Sequence, residues 1–219
     1  MRGPAAAAPA AKRPAIVRRT VKSVLFVAAL VPLLLLVAGM LTGTLGVNPA
    51  ETIQNETGEW ALRFLLVSLA VTPVRRLTGW NVVIQYRRML GLFAFFYATV
   101  HLLAYWSFDL AFAFGDFAAD VLRRPFIALG VAAFLLMVPL AITSTKGWIR
   151  RLGRTWARLH RLVYASAILA MIHFALKVKV FTGDPVFYAV ALTAVLGFRI
   201  VWALRNRRPA VPRARPSDA

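Results

Sequence analysis

Three histidines, His101, His160 and His173, are the only imidazoles in a chain that contains no cysteine. Without cysteine there is no thiolate metal site, no iron–sulfur cluster, no disulfide framework and no thiol nucleophile. His101 stands inside FAFFYATVHLLAYWSF and His173 inside ILAMIHFALK, both long apolar runs. An ionisable side chain within such a run is costly, which makes each a marker of function. His101 follows Arg88 by 13 residues and His173 follows Arg161 by 12. At 1.5 Å per residue both lie roughly 18–20 Å from the cationic start of their helices. Two neutral imidazoles at one depth on parallel helices are what bis-histidine ligation of a b-type haem requires. A membrane histidine can also simply hydrogen-bond a neighbouring carbonyl or hydroxyl, and that reading stays open beside the haem.

His160 differs from the other two. It lies between Arg158 and Arg161 in WARLHRL, 13 residues before His173. That separation, roughly 20 Å along a helix, would let it serve a second cofactor at another level. The residue 13 before His101 is Arg88, which cannot ligate iron. An ideal helix turns by about 140° over 13 residues, so His160 and His173 are not expected on one face. A second haem held by His160 and a water or non-histidine ligand is one reading; a plain interfacial residue is the other. Zinc lacks its third and fourth ligands, and no acid within a span supports Ser/His/Asp chemistry.

The elements that must position these residues follow from composition. The 219 residues are 60% hydrophobic and 16% charged, with 27 Lys plus Arg against 8 Asp plus Glu. So apolar a chain is a poor soluble nucleic-acid binder despite its charge, and a natural membrane protein with its cations on one side. Lys22 to Glu51 encloses 28 uncharged residues; Met89–Phe108 gives 20 more and Pro125–Thr145 gives 21. A helix needs about 20 apolar residues to cross a bilayer. Three shorter stretches, Phe64–Val74, Leu162–Leu176 and Pro185–Phe198, are flanked by Arg or Lys whose stems can snorkel. The expectation is an all-α integral membrane protein, a bundle of six transmembrane helices with both termini cytoplasmic. Threaded that way, 22 of the 27 basic residues fall on the cytoplasmic side, and seven of the eight acids fall opposite. A bias of that size is the positive-inside signature.

Three regions follow: a basic, Ala/Pro-rich cytoplasmic arm over 1–22, expected to be disordered; a membrane domain over 23–204; and a basic tail over 205–219. The first apolar run is too long for a cleaved signal and lacks an A-x-A site, so it reads as a retained helix. No GxGxxG, P-loop or 20–50-residue repeat stands out. Around His101, the aromatics could line a haem pocket or serve as ordinary packing. Arg123 and Arg124, or Lys177 and Lys179, could meet haem propionates or anchor headgroups. The cluster TKGWIRRLGRTWARLHR could hold a flavin phosphate or a quinone headgroup, or only set topology.

Several of these stretches together resemble a known family. RRMLGLFAFFYATVHLLAYWSFD, RRPFIALG, PLAITSTKGWIRRLGRTWARLHRLVYASAILAMIHFALKVK and TGEWALRFLLVSLAVTPVRRLTG are similar to MsrQ, the haem-binding membrane subunits of bacterial MsrPQ methionine sulfoxide reductase systems. The likeness runs from about Gly58 to Lys179, and extends more distantly to the ferric reductase-like transmembrane domain shared with NADPH oxidases. It implies a six-helix inner-membrane b-type cytochrome, the electron-transfer subunit of an oxidoreductase. Its electrons would come from membrane quinones, with FMN as an associated cofactor, and would go to a periplasmic molybdopterin subunit, MsrP. Carried over, His101 and His173 match the bis-histidine haem ligands and His160 the third histidine. NADPH oxidases have a second histidine on the third helix where this chain has none near Arg88. The acidic loops around Glu51–Glu59 and Asp109–Asp120 would face the exit and could dock the partner. Two rival functions keep the architecture: a cytochrome reducing ferric iron or oxygen, and a transporter or assembly factor with no redox role.

Overall fold

In hydrocarbon the backbone finds no water to bond, so an apolar run bounded by arginines satisfies its amides internally as a helix. The computed structural model describes residues 13–178 and 183–206, and among them every regular element is helical. In order these are α1 (Arg13–Thr42), α2 (Pro49–Thr78), a short 3-10 segment (Asn81–Gln85), α3 (Arg87–Phe108), α4 (Phe114–Arg123), α5 (Pro125–Ile142), α6 (Lys146–Leu152), α7 (Arg154–Leu159), α8 (Leu162–Lys177) and α9 (Asp184–Arg205). The basic tail beyond Asn206, residues 1–12 and Lys179 lie outside the described residues.

Five stretches are long and apolar enough to cross a membrane: Val17–Thr42, Arg87–Phe108, Pro125–Ile142, Arg154–Lys177 and Asp184–Arg205. The expected second span, Phe64–Val74, belongs to α2, which is not among them. Glu51, Glu56, Glu59, Arg63, Arg75 and Arg76 dilute its hydropathy. Even so, α2 runs unbroken for 30 residues, about 45 Å. Its middle supplies Leu62, Leu65, Leu66 and Leu69 to the main core, against Ala94 of α3, Met137 of α5, Met171 of α8 and Leu192 of α9. Two of its charges are half-buried together: Arg63 pairs with Glu59 at 2.5 Å and donates to the Tyr188 hydroxyl at 2.7 Å. At the other end of the chain's first span, α1 begins at Arg13, so helix continues through Lys22 within the stretch whose composition suggests a disordered arm.

The outside of the bundle is apolar. Leu35 is 66% exposed and Leu41 83%, as suits a surface facing lipid rather than water. Inside, α5 and α8 approach closely through small residues: Ala167 and Ser166 are fully buried, and the Ser166 hydroxyl donates to the Ala133 carbonyl at 2.9 Å.

Beside two prolines, side chains from elsewhere bond to the helix backbone. Pro73 cannot donate to the Leu69 carbonyl, and Arg199 of α9 donates to it instead at 2.6 Å while its other arm reaches the Tyr164 hydroxyl at 2.7 Å. Arg199 is thus turned into the bundle and fastens α9 to α2 and α8. Beside Pro32, the Tyr97 hydroxyl stands between Ala29 and Leu33, donating to the Ala29 carbonyl at 2.8 Å and accepting from the Leu33 amide at 3.2 Å. That insertion holds α1 against α3.

Candidate functional site

His101 of α3 places Nδ1 2.8 Å from the Gln54 carbonyl of α2. His173 of α8 places Nδ1 2.6 Å from the Phe126 carbonyl of α5. A carbonyl can only accept, so in each neutral ring Nδ1 carries the proton and Nε2 keeps the lone pair. One helical turn beyond each carbonyl is a glycine. A Cβ on Gly58 would sit 3.0 Å from the His101 ring, and one on Gly130 would sit 2.8 Å from the His173 ring. The missing side chains let each imidazole lie flush on the neighbouring helix.

The two arrangements are copies. In both, the histidine comes 47 residues after its carbonyl partner. A constant offset of 72 separates Gln54 from Phe126, Gly58 from Gly130, and His101 from His173. The α2–α3 and α5–α8 hairpins therefore repeat one design, a longer period than the 20–50 residues in which no repeat is visible. Together they bring the two rings to 6.1 Å between centres, inclined at 75°.

Both rings line a cavity of about 900 Å³, near the upper end of small-molecule and cofactor sites, about 300–1,000 Å³. Metal–imidazole bonds of about 2 Å, with each ring centre roughly 1 Å behind its nitrogen, call for centres about 6 Å apart. The observed spacing, the lone pairs fixed on Nε2 and the backbone bonds behind Nδ1 all fit a haem iron held from both sides. Among the described residues no group of three or more His, Cys, Asp or Glu forms a separate metal site.

Polar residues gather at one end of this cavity. Lys177 lines it and donates to Asn55, while Glu51, Glu59 and Asp184 stand at the same wall. Of the cations considered for propionates, Lys177 is in place; Arg123 and Arg124 do not line the cavity, and Arg124 pairs with Asp120 at 3.2 Å. Asp120 also accepts from the Tyr105 hydroxyl at 2.5 Å, and Asp109 accepts from the Gln54 side chain at 2.9 Å. Both acids are bonded at the rim; Asp109 and Asp116 are exposed, and Asp120 is half-buried. Most aromatics of α3 also serve packing. Phe93 and Tyr97 stack on Phe64 at 5.5 and 5.4 Å on the side of α1, away from the cavity.

His160 is not brought to this site. The helix breaks at His160, which caps α7 before α8 starts at Leu162. It lines a second cavity of about 370 Å³ with Arg87, Arg88, Gln85, Ser144 and Trp156. Leu65 and Met137 line both cavities and form the wall between them. The offset of 72 also relates Arg88 to His160. The residues that sequence reasoning missed are Gln54 and Phe126, which act through their carbonyls, with Gly58 and Gly130. Their signal was present as two equal spacings, 47 and 72, but carbonyl partners leave no mark in residue type.

Residues 57–171 match the family described as the ferric reductase like transmembrane component. A protein-methionine-sulfoxide reductase heme-binding subunit MsrQ from Xanthomonas euvesicatoria pv. vesicatoria (strain 85-10) is 51% identical over 175 residues, 80% of this chain and 80% of that protein. The protein of the same name from Rhodospirillum rubrum is 49% identical over 184 residues, 84% of this chain and 88% of its own length. With its apolar helices, the match to a transmembrane family makes the chain a multi-pass membrane protein.

Proposed function

The chain belongs to the MsrQ heme-binding subunits of the ferric reductase like transmembrane family, and we propose that it is a membrane b-type cytochrome passing electrons from quinones to a periplasmic MsrP subunit that repairs methionine sulfoxide. The observation that carries this reading is the pair His101 and His173, 6.1 Å apart with both Nδ1 atoms tied to backbone carbonyls. These two imidazoles would hold the haem iron. When bound, the haem supplies a one-electron couple, alternating ferric and ferrous iron.

The chain's own residues do the rest. The Gln54 and Phe126 carbonyls hold each imidazole in the tautomer that presents Nε2. Leu62, Leu65, Phe134 and Met137 keep the cavity apolar around the rings. Lys177 is the cation for a propionate at the polar end. All six long helices, α2 included, cross the bacterial inner membrane, and both termini are cytoplasmic. That threading is supported by the 22-to-5 division of basic residues, and it sets the polar end of the first cavity toward the periplasm. The FMN implied by the family resemblance is assigned no residues.

The test is a dithionite-reduced minus oxidised spectrum of the purified protein, with His101→Ala and His173→Ala beside the wild type. A b-type Soret and α band present in the wild type and lost in both variants is the expected result. A wild type without those bands, though expressed with ample haem, would overturn the reading.

A further inference from the structure

The two hairpins that carry the cavity imidazoles are alike at the rings and differ one contact farther out. Gln54 takes the His101 Nδ1 proton on its backbone carbonyl at 2.8 Å, and its side-chain Nε2 donates to Asp109 Oδ1 at 2.9 Å. Asp109 is the residue that closes α3, its amide bonded to the Tyr105 carbonyl at 3.1 Å. One residue of α2 is thus bonded to α3 at two points, separated by about 12 Å along that helix. A single hydrogen bond leaves a hinge, and a second bond on the same residue removes that freedom. The outer bond runs to a carboxylate, a stronger acceptor than a neutral oxygen.

Among the described residues the α5–α8 hairpin shows no counterpart. Phe126 stands where Gln54 does, and its side chain has no proton to donate. Its ring lies beside the His173 imidazole instead, with centres 6.1 Å apart and planes inclined at 33°. The residue 72 after Asp109 is Phe181, which lies outside the described residues and carries no carboxylate. His173 therefore has an aromatic neighbour, and His101 a polar strap that ends on an exposed acid at the rim.

We propose that Asp109 is a positioning residue for the haem site: through the Gln54 side chain it holds the Gln54 carbonyl on His101 Nδ1 and so sets the redox potential of the iron. This rests on the haem reading above and deepens it. A carbonyl held firmly on Nδ1–H draws that proton toward itself and makes Nε2 the stronger electron donor. A stronger donor favours ferric over ferrous iron, so slackening the strap raises the potential. The negative charge of Asp109 acts in the same direction, which makes the bond and the charge two effects to be separated.

The experiment is a redox titration of purified, haem-loaded full-length protein, followed at the α band that is lost in His101→Ala, with low-spin EPR of the oxidised form. Gln54→Leu keeps the backbone carbonyl and every charge and removes only the donor to Asp109. At a fixed ambient potential its ratio of ferrous to ferric haem should be at least threefold that of the wild type. Asp109→Leu should raise the ratio at least as much, with haem per protein at the wild-type value. Asp109→Asn, whose side-chain oxygen still accepts, should raise it less. In the Asp109→Leu background Gln54→Leu should add almost nothing, and the largest EPR g value should move with the first substitution and not with the second. An Asp109→Asn equal to Asp109→Leu, or two effects that multiply in full, would make Asp109 only a nearby charge and overturn the strap. Wild-type ratios in both Asp109 variants overturn it as well, even where Gln54→Leu fails to bind haem, and leave the haem reading standing. A wild type without b-type bands overturns both.

Discussion

The two cavities of this protein are walled by the same pair of helical hairpins, yet they present different side chains. In the first, the repeated α2–α3 and α5–α8 units contribute His101 and His173, each bonded through Nδ1 to a carbonyl of its companion helix. In the second, the same offset of 72 residues delivers Arg88 and His160, and the space shrinks from about 900 to about 370 Å³. A duplicated frame therefore fixes where functional side chains stand without fixing what they do. Two imidazoles face the first cavity; one imidazole beside two guanidinium groups faces the second.

The comparison is most easily broken at the glycines. A Cβ on Gly130 would come within 2.8 Å of the His173 ring, whereas one on Gly58 would come within 3.0 Å of His101. Gly130→Ala should therefore lose most of its haem and Gly58→Ala a smaller part, measured as haem per protein by the pyridine haemochromogen. Equal and full occupancy in both would mean that close helix contact is not what seats the imidazoles.

If the second cavity works separately from the first, disturbing it should spare the haem. Trp156→Leu removes both the ring stacked on His160 and the donor to the Thr143 carbonyl. Its difference spectrum at the His101 and His173 site should stay unchanged; loss of that spectrum would join the two cavities into one unit.

Effects on the shared frame should fall on both halves alike. Arg199→Met leaves the Leu69 carbonyl beside Pro73 without its donor, at a cost of about 2–3 kcal/mol for a bond to a charged group. Tyr97→Phe removes the hydroxyl between Ala29 and Leu33, at about 1–2 kcal/mol. Both should lower the thermal midpoint of the purified protein, Arg199→Met more, with the haem bands unaltered below the transition. The smallest change is expected from Arg88→His, which restores two imidazoles to the second cavity but not its volume. Haem per protein should remain at the wild-type value, and a rise would show that ligand type alone separates the cavities.

Much of this was legible in the chain. Uncharged runs located five of the helices that can span a membrane, because hydropathy is a sum over neighbours in sequence. Counting residues from Arg88 and Arg161 predicted the common level of His101 and His173, because helix rise is constant. For α2 the same sum misled. Its charges shortened the apparent span to Phe64–Val74, whereas Arg63 meets Glu59 and Tyr188 and the helix continues from Pro49 to Thr78. His160 was expected apart from His173, and it lines the second cavity at the residue where α7 ends.

By itself, then, the sequence determined the helical class, the excess of basic over acidic residues and the level of the two buried imidazoles, all properties carried along one chain segment at a time. Only the tertiary structure decided which nitrogen of each histidine is free, that Gly58 and Gly130 let the rings approach, and that Arg199 and Tyr97 bond to helix backbone beside Pro73 and Pro32. Those are relations between a side chain and a backbone carbonyl on another helix. Every residue has such a carbonyl, so its type records nothing, and only packing chooses the one that is used.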